Sequence, residues 1–207
     1  MFLFDVGGVL LIWPKNDPIF KFIAKRYMVP VSKMREEMNR LLPEFEAGNM
    51  DSRAFIERSL RPFGRKLKTS DDPARLLTFP FARGAKLRKG VVRIILKLRS
   101  RGFRVDGFSN TNYVHAKFMQ DRNWVSPHIF DHFYASCDIG DIKPNVSAFK
   151  KVLNKAGVSP KDVVFIDNTE VNVLGAKRAG LSDCIKYTSI IELDRNIQCV
   201  LSRLGQI

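Results

Sequence analysis

The chain has 207 residues, 45% hydrophobic and 27% charged, the composition of an ordinary globular protein with one good-sized core or a core plus a small second lobe. Its 35 Lys and Arg against 21 Asp and Glu leave a net charge of +14, which favours anionic substrates by steering. The basic residues are scattered and no zinc-finger, RNP-type or basic-zipper pattern accompanies them, so a dedicated nucleic-acid role is not expected.

No apolar run reaches the length of a membrane helix, and Asp5 interrupts the first run before a signal-peptide h-region forms. Cys137, Cys184 and Cys199 show no metal-like spacing; reduced thiols and a cytoplasmic location are expected. Phe2-Leu3-Phe4 is a short apolar run ending on Asp5, just before Gly7-Gly8, and reads as a buried parallel strand with one carboxylate at its end. Ligands of open α/β sheets bind beyond the carboxyl ends of the strands. Taken alone, Asp5 is a nucleophile, a metal ligand or a turn residue. The pattern breaks at Trp13-Pro14. Asp17-Pro18 opens a predicted helix over 17–28, and Ser32 to Leu42 reads as another. Phe45-Glu46-Ala47-Gly48-Asn49 is a helix stop, and Asp51 or Ser52 caps a helix running to about Arg61. Residues 64–80, with Gly64, Pro73 and Pro80, read as irregular or weakly helical. The stretch 15–80 contains no convincing strand and is expected to be a helical insertion.

From residue 88 strands and helices alternate. Helical spacing of Val91, Ile94, Ile95 and Leu98 gives way at Gly102 to a strand over 103–108 that ends on Ser109-Asn110-Thr111. A helix near 113–121 and a short strand at 133–136 follow, then the loop Gly140-Asp141-Ile142-Lys143-Pro144 and an amphipathic helix over 146–156. Val163-Val164-Phe165-Ile166 is a buried strand ending on Asp167. A helix over 170–179, a strand at 184–187 and a closing helix from Ile191 to Leu204 complete the chain. This alternation predicts a doubly wound parallel α/β sheet, with helices on both faces, built from 1–14 and 81–207.

Three predicted strands end in polar residues at one sheet edge: Asp5, Ser109-Asn110 and Asp167-Asn168. Lys143 lies in a loop between the last two. Two carboxylates, a hydroxyl, an amide and a cation around one crevice suit phosphoryl transfer, which needs a nucleophile, neutralised phosphate oxygens and often magnesium. In order and separation these segments resemble the four motifs of the haloacid dehalogenase (HAD) superfamily. Phe4-Asp5-Val6-Gly7-Gly8-Val9-Leu10 is similar to the first motif, Phe108-Ser109-Asn110-Thr111 to the second and Gly140-Asp141-Ile142-Lys143-Pro144-Asn145 to the third. Phe165-Ile166-Asp167-Asn168, with Asn172 and Ala176, Ala179 and Gly180, is similar to the fourth.

The resemblance implies a Rossmann-like core with 15–80 as a small helical cap, including a typical Glu46-Ala47-Gly48 element. It makes Asp5 the nucleophile of an aspartyl-phosphate intermediate, and Asp5, the Gly7 carbonyl oxygen and Asp167 the ligands of Mg²⁺. Ser109, Asn110 and Lys143 would bind the phosphoryl group of a small phosphorylated substrate, with Asn168 and Asn172 in support.

Two departures stand out. The superfamily's phosphatases usually carry a second Asp, the general acid and base, where this chain has Gly7. Asn168 replaces what is often a further acid. The function expected is a Mg²⁺-dependent phosphatase of small phosphate monoesters with an unusual proton-transfer step, for which Lys15 or Asp17 is a substitute acid on position alone. The alternatives are a catalytically impaired binding protein of the same fold and a haloacid dehalogenase-type hydrolase. His115, His128 and His132 read as surface or packing residues. Phe20, Phe22, Tyr27, Met34 and Met38 read as a core stripe rather than a pocket wall. Neither the substrate nor the oligomeric state is readable.

Overall fold

The computed structural model describes residues 1–13, 18–203 and 205. Five parallel strands form one sheet: β1 (Phe2–Phe4), β4 (Val105–Ser109), β5 (Phe133–Ala135), β6 (Val164–Asp167) and β7 (Asp183–Lys186), in the spatial order β5-β4-β1-β6-β7. The first strand is central, with Phe4 opposite Gly107 on one side and Ile166 on the other. That register brings Asp5, Ser109 and Asp167 to one edge, because each lies at the carboxyl end of its strand.

Alternation along the strands divides the core. Leu3, Phe108 and Phe165 face helices α8 (Val146–Ala156) and α9 (Glu170–Arg178), through Phe149, Val152 and Ala176. Phe2, Phe4, Val105 and Ile166 belong to the opposite cluster, with helices α5 (Lys89–Ser100) and α10 (Ile190–Arg203). Period-two alternation in strands and an apolar stripe on each helix produce this layering.

Residues 18–84 form four helices: α1 (Pro18–Tyr27), α2 (Val31–Glu46), α3 (Ser52–Leu60) and α4 (Pro73–Gly84). Asp51 caps α3 by accepting from the Ala54 amide at 2.7 Å. The stretch 64–80, expected to be irregular or weakly helical, is a regular helix from residue 73 on. Asp72 accepts from the amides of Ala74 and Arg75, and Pro73 sits at the first helical turn, where its missing N–H costs nothing. Pro80 lies inside α4 and Pro43 inside α2; in both places burial of the surrounding apolar stripe outweighs the lost hydrogen bond. The 80/81 boundary therefore falls within a helix.

A two-stranded antiparallel ribbon, β2 (Leu11–Ile12) with β3 (Lys86–Leu87), joins the chain leaving the core to the chain returning. Arg88 clamps it, its guanidinium donating to the carbonyls of Val9 and Gly8. The remaining helices are α6 (Tyr113–Asp121), which packs against α4, and the short α7 (Ser136–Ile139) after β5. Among the described residues, no helix is long and apolar enough to cross a membrane.

Candidate active site

The Lys143 ammonium is the hub of the sheet edge. It donates to Asp5 Oδ1 at 2.7 Å, to Asp167 Oδ2 at 2.8 Å and to the Phe108 carbonyl at 2.9 Å, so all three protons are used. The side chain is buried and lies over the rings of Phe108 and Phe165. Asn110 fixes it from behind: its Nδ2 donates to the Lys143 carbonyl and its Oδ1 accepts from the Lys143 amide. Asn110 was expected among the phosphate ligands; its amide is engaged by the main chain of Lys143, and the residue also lines the crevice. Ser109, buried at the end of β4, lines the open crevice.

Asp167 is the second anchor. Its Oδ2 accepts from Lys143 and from Asn172 Nδ2 at 3.0 Å, and its Oδ1 from the Thr169 amide at 2.7 Å. Both oxygens are thus hydrogen-bonded. The expected ligand set is Asp5, the Gly7 carbonyl and Asp167; Asn168 also approaches the first two, one terminal atom of its amide lying 3.2 Å from Asp5 Oδ2 and 3.0 Å from the Gly7 carbonyl. The corner is satisfied in two ways. With nitrogen in that position the amide donates to both neighbours. With oxygen there, three oxygens face one another, an arrangement stable only around a cation.

Gly8 makes this approach possible, since it has φ +85° and a Cβ on it would come within 2.6 Å of the Asn168 amide. Gly7 is under no such constraint. A Cβ there meets nothing within 4 Å, so the backbone does not demand glycine at this position.

Burial raises the Asp5 carboxyl to about 7; the Lys143 ammonium pulls it down and the Asp167 carboxylate pushes it further up. Two buried carboxylates sharing one ammonium leave one negative charge uncompensated, which a cation at the Asp5–Gly7–Asn168 corner would neutralise. Among the described residues no three His, Cys, Asp or Glu side chains cluster as a metal cage, so the corner offers hard oxygen donors and little charge.

Above the sheet edge lies a cavity of about 460 Å³. Its floor includes Gly7, Gly8, Ser109 and Asn168, and its walls are largely aromatic and aliphatic, among them Trp13, Phe20, Met38, Phe45, Phe55 and Phe81. Met38 is buried in the core and Phe20 packs against it, as the core-stripe reading expects, and both also line this wall. No Lys or Arg lines the cavity among the described residues, and Glu46 is the only carboxylate that does. Lys15 and Asp17 lie outside the described residues.

His115 also faces the cavity, and sequence gave no signal for it beyond its place on α6. It stacks on Phe81, contacts Asn112 Nδ2 through Nδ1 and the Leu77 carbonyl through Nε2, and so ties α6 to α4. Burial lowers it to about 4. Between that value and the ordinary one near 6.5 the unfolded chain binds the proton and the folded one does not, so stability falls as pH drops through this window. The loss is about 3 kcal/mol at most. Urea unfolding at pH 7 and pH 5 should show it, and His115→Gln should flatten it.

Fold and site together define a Rossmann-like hydrolase core beneath a helical insertion. The chain belongs to the haloacid dehalogenase-like hydrolases: the family model for that group matches residues 1–180. It is 25% identical over 181 residues to flavin mononucleotide hydrolase 1, chloroplastic, of Arabidopsis thaliana, covering 86% of this chain and 69% of that protein. A HAD family enzyme of Bacteroides thetaiotaomicron, crystallised with magnesium and inorganic phosphate, superposes with a TM-score of 0.73 at 23% identity, over 90% of this chain and 93% of its own. A HAD-like family hydrolase of Porphyromonas gingivalis gives 0.74 at 20% identity, over 100% and 97%.

Proposed function

We propose that the protein is a Mg²⁺-dependent phosphatase of small monoesters, with 13–85 acting as its cap. The observation that carries this reading is the Lys143 ammonium bridging Asp5 and Asp167, with the remaining Asp5 oxygen turned to a corner of oxygen donors. Asp5 attacks phosphorus, the ester oxygen leaves, and water then releases phosphate from the aspartyl group. Lys143 offsets the repulsion between carboxylate and phosphate, and Ser109 holds a phosphate oxygen. Asn110 and Asn172 act through Lys143 and Asp167 rather than on the substrate.

The separations of 3.0 and 3.2 Å at the corner match the edges of an octahedron whose oxygens lie about 2.1 Å from its centre. Asp5, the Gly7 carbonyl and Asn168 would hold Mg²⁺. When bound it would neutralise charge on the transferred phosphoryl group and keep Asp5 ionised. Asn168 brings no charge, so affinity should be modest. Asn168→Asp should raise Mg²⁺ affinity about tenfold or more in calorimetric titration of the free protein; unchanged affinity would place the ion elsewhere.

The largely apolar cavity, with no Lys or Arg on its walls among the described residues, suits an ester with a single anionic group and an aromatic or aliphatic body. Flavin mononucleotide, named for the plant relative, has this character and belongs in the first panel. The test is phosphate release from such a panel with and without Mg²⁺. The bridging position of Asn168 also favours a second reading, a binding protein whose amide closes the corner. That reading predicts neither turnover nor Mg²⁺ binding. Carbon–halogen displacement makes no use of an oxygen-lined corner, and nothing in the geometry favours it.

A further inference from the structure

If the chain is a phosphatase, the vacancy at position 7 leaves a proton unaccounted for. The leaving oxygen of an alkyl ester needs one, and the attacking water must lose one. The group that does this has to stand on the leaving-group side of phosphorus, which is the cavity side. Among the described residues, two titratable side chains line the cavity. His115 is neutral and has contacts at both ring nitrogens. Glu46 is the other.

Glu46 is the last residue of α2, and its main chain is pinned to the core rather than free to move with the helices above. Ser136 Oγ donates to its carbonyl at 2.6 Å and accepts from the Thr111 amide at 2.8 Å. Two residues on, Gly48 has φ +78° and lies so close to the Cys137 carbonyl that a Cβ would overlap it. These contacts fix where the Glu46 side chain begins relative to Ser109-Asn110-Thr111 and the sheet edge. Glu46 lines the cavity shared with Gly7 and Asn168, and its carboxyl, among the described residues, takes part in no hydrogen bond or ion pair. A carboxyl group in a largely apolar chamber with no cation of its own has no structural use for its charge.

We propose that Glu46 supplies the acid and base absent at position 7. As Asp5 Oδ forms its bond to phosphorus, the ester P–O bond breaks and the Glu46 proton passes to the departing oxygen. The resulting Glu46 carboxylate then takes a proton from the water whose oxygen attacks phosphorus and displaces Asp5. The cycle restores both groups, and its sum is ester plus water giving alcohol plus phosphate.

The chemistry of the site agrees. Burial raises Glu46 to about 7, with Lys143 lowering it and Asp5 raising it, so both protonation states are populated near neutrality. The other titratable groups facing it leave this balance alone: His115 is neutral, and burial pushes the Cys137 thiol up to about 12.

The test compares two esters of similar aromatic bulk, phenethyl phosphate and para-nitrophenyl phosphate, with Mg²⁺ present. Only the first needs a proton donor, since nitrophenolate leaves unaided. In Glu46→Gln, phenethyl phosphate turnover should fall about 100-fold or more. The same variant should release a burst of one equivalent of nitrophenolate at the wild-type rate and then slow, because the phosphorylated enzyme lacks its base. The wild-type profile for phenethyl phosphate should fall above an apparent pKa near 7, and that limb should vanish in Glu46→Gln.

Adding Gly7→Asp to Glu46→Gln should recover turnover at least tenfold. Glu46→Asp, which keeps the acid but retracts it, should lose rate yet retain the limb, and it carries the test should the Gln variant not fold. Turnover and pH profile unchanged in Glu46→Gln would overturn the assignment, as would equal loss of burst and turnover on both esters. A wild-type protein inert toward both esters would overturn the phosphatase reading itself, and this assignment with it.

Discussion

Asp5→Asn should abolish phosphate release from every ester the wild-type protein cleaves, a loss of about 10⁴-fold or more, while the fold persists. Asn retains the shape and an oxygen able to accept the Lys143 proton, and the substitution removes the uncompensated negative charge of the Asp5–Lys143–Asp167 cluster. The melting temperature should therefore hold or rise. Rate and stability part company because the proposed nucleophile is a buried carboxylate, held at a cost in desolvation that raises Asp5 to about 7. Phosphate assays beside thermal melts of the two proteins measure both halves. A variant that kept a tenth of wild-type turnover would remove Asp5 from the reaction.

Lys143→Met should fail on both counts. The hydrocarbon stem fits between Phe108 and Phe165, but two buried carboxylates and the Phe108 carbonyl lose their shared donor. Breaking a buried ion pair from one side costs about 3–5 kcal/mol, and turnover should drop below detection with the phosphate-neutralising charge gone. The sign of its pH dependence follows from the same burial. Without the ammonium that pulls it down, the buried Asp5 carboxyl sits still higher in the folded protein than in the unfolded one. Its destabilisation is present above the folded value and relieved as pH falls and it takes up a proton. Urea unfolding should thus show the deficit largest at pH 8 and smaller at pH 5. A deficit independent of pH would mean that lost packing, not lost charge, dominates.

Much of this was legible in the sequence because it rests on local rules. Phe2–Phe4 and Val163–Ile166 are apolar runs that each stop at an acid, and a parallel sheet places such stops on one edge. Helices at 113–121 and 146–156 were readable from spacing and from their caps. What escaped depends on tertiary partners. The ribbon of Leu11–Ile12 with Lys86–Leu87 is two residues wide on each side and has no period to detect. The helix from Pro73 to Gly84 looked broken by Pro80, yet a buried stripe of Leu76, Leu77 and Phe81 holds it together. The part played by Asn168 is set by how closely Gly8 lets it approach, a distance no spacing encodes. Glu46 and His115 line the cavity because α2, α4 and α6 pack as they do; along the chain His115 is an ordinary helix residue and Glu46 reads only as part of a helix stop.

The covalent step offers the most direct test of the central claim, that the carboxylate at the end of the central strand becomes phosphorylated. Protein mixed with para-nitrophenyl phosphate and Mg²⁺, quenched in acid within the first turnover and digested, should yield phosphate on the peptide containing Asp5 in an amount equal to the nitrophenolate released. Nitrophenolate released with that peptide unmodified would contradict the account, and so would phosphate recovered on any other residue.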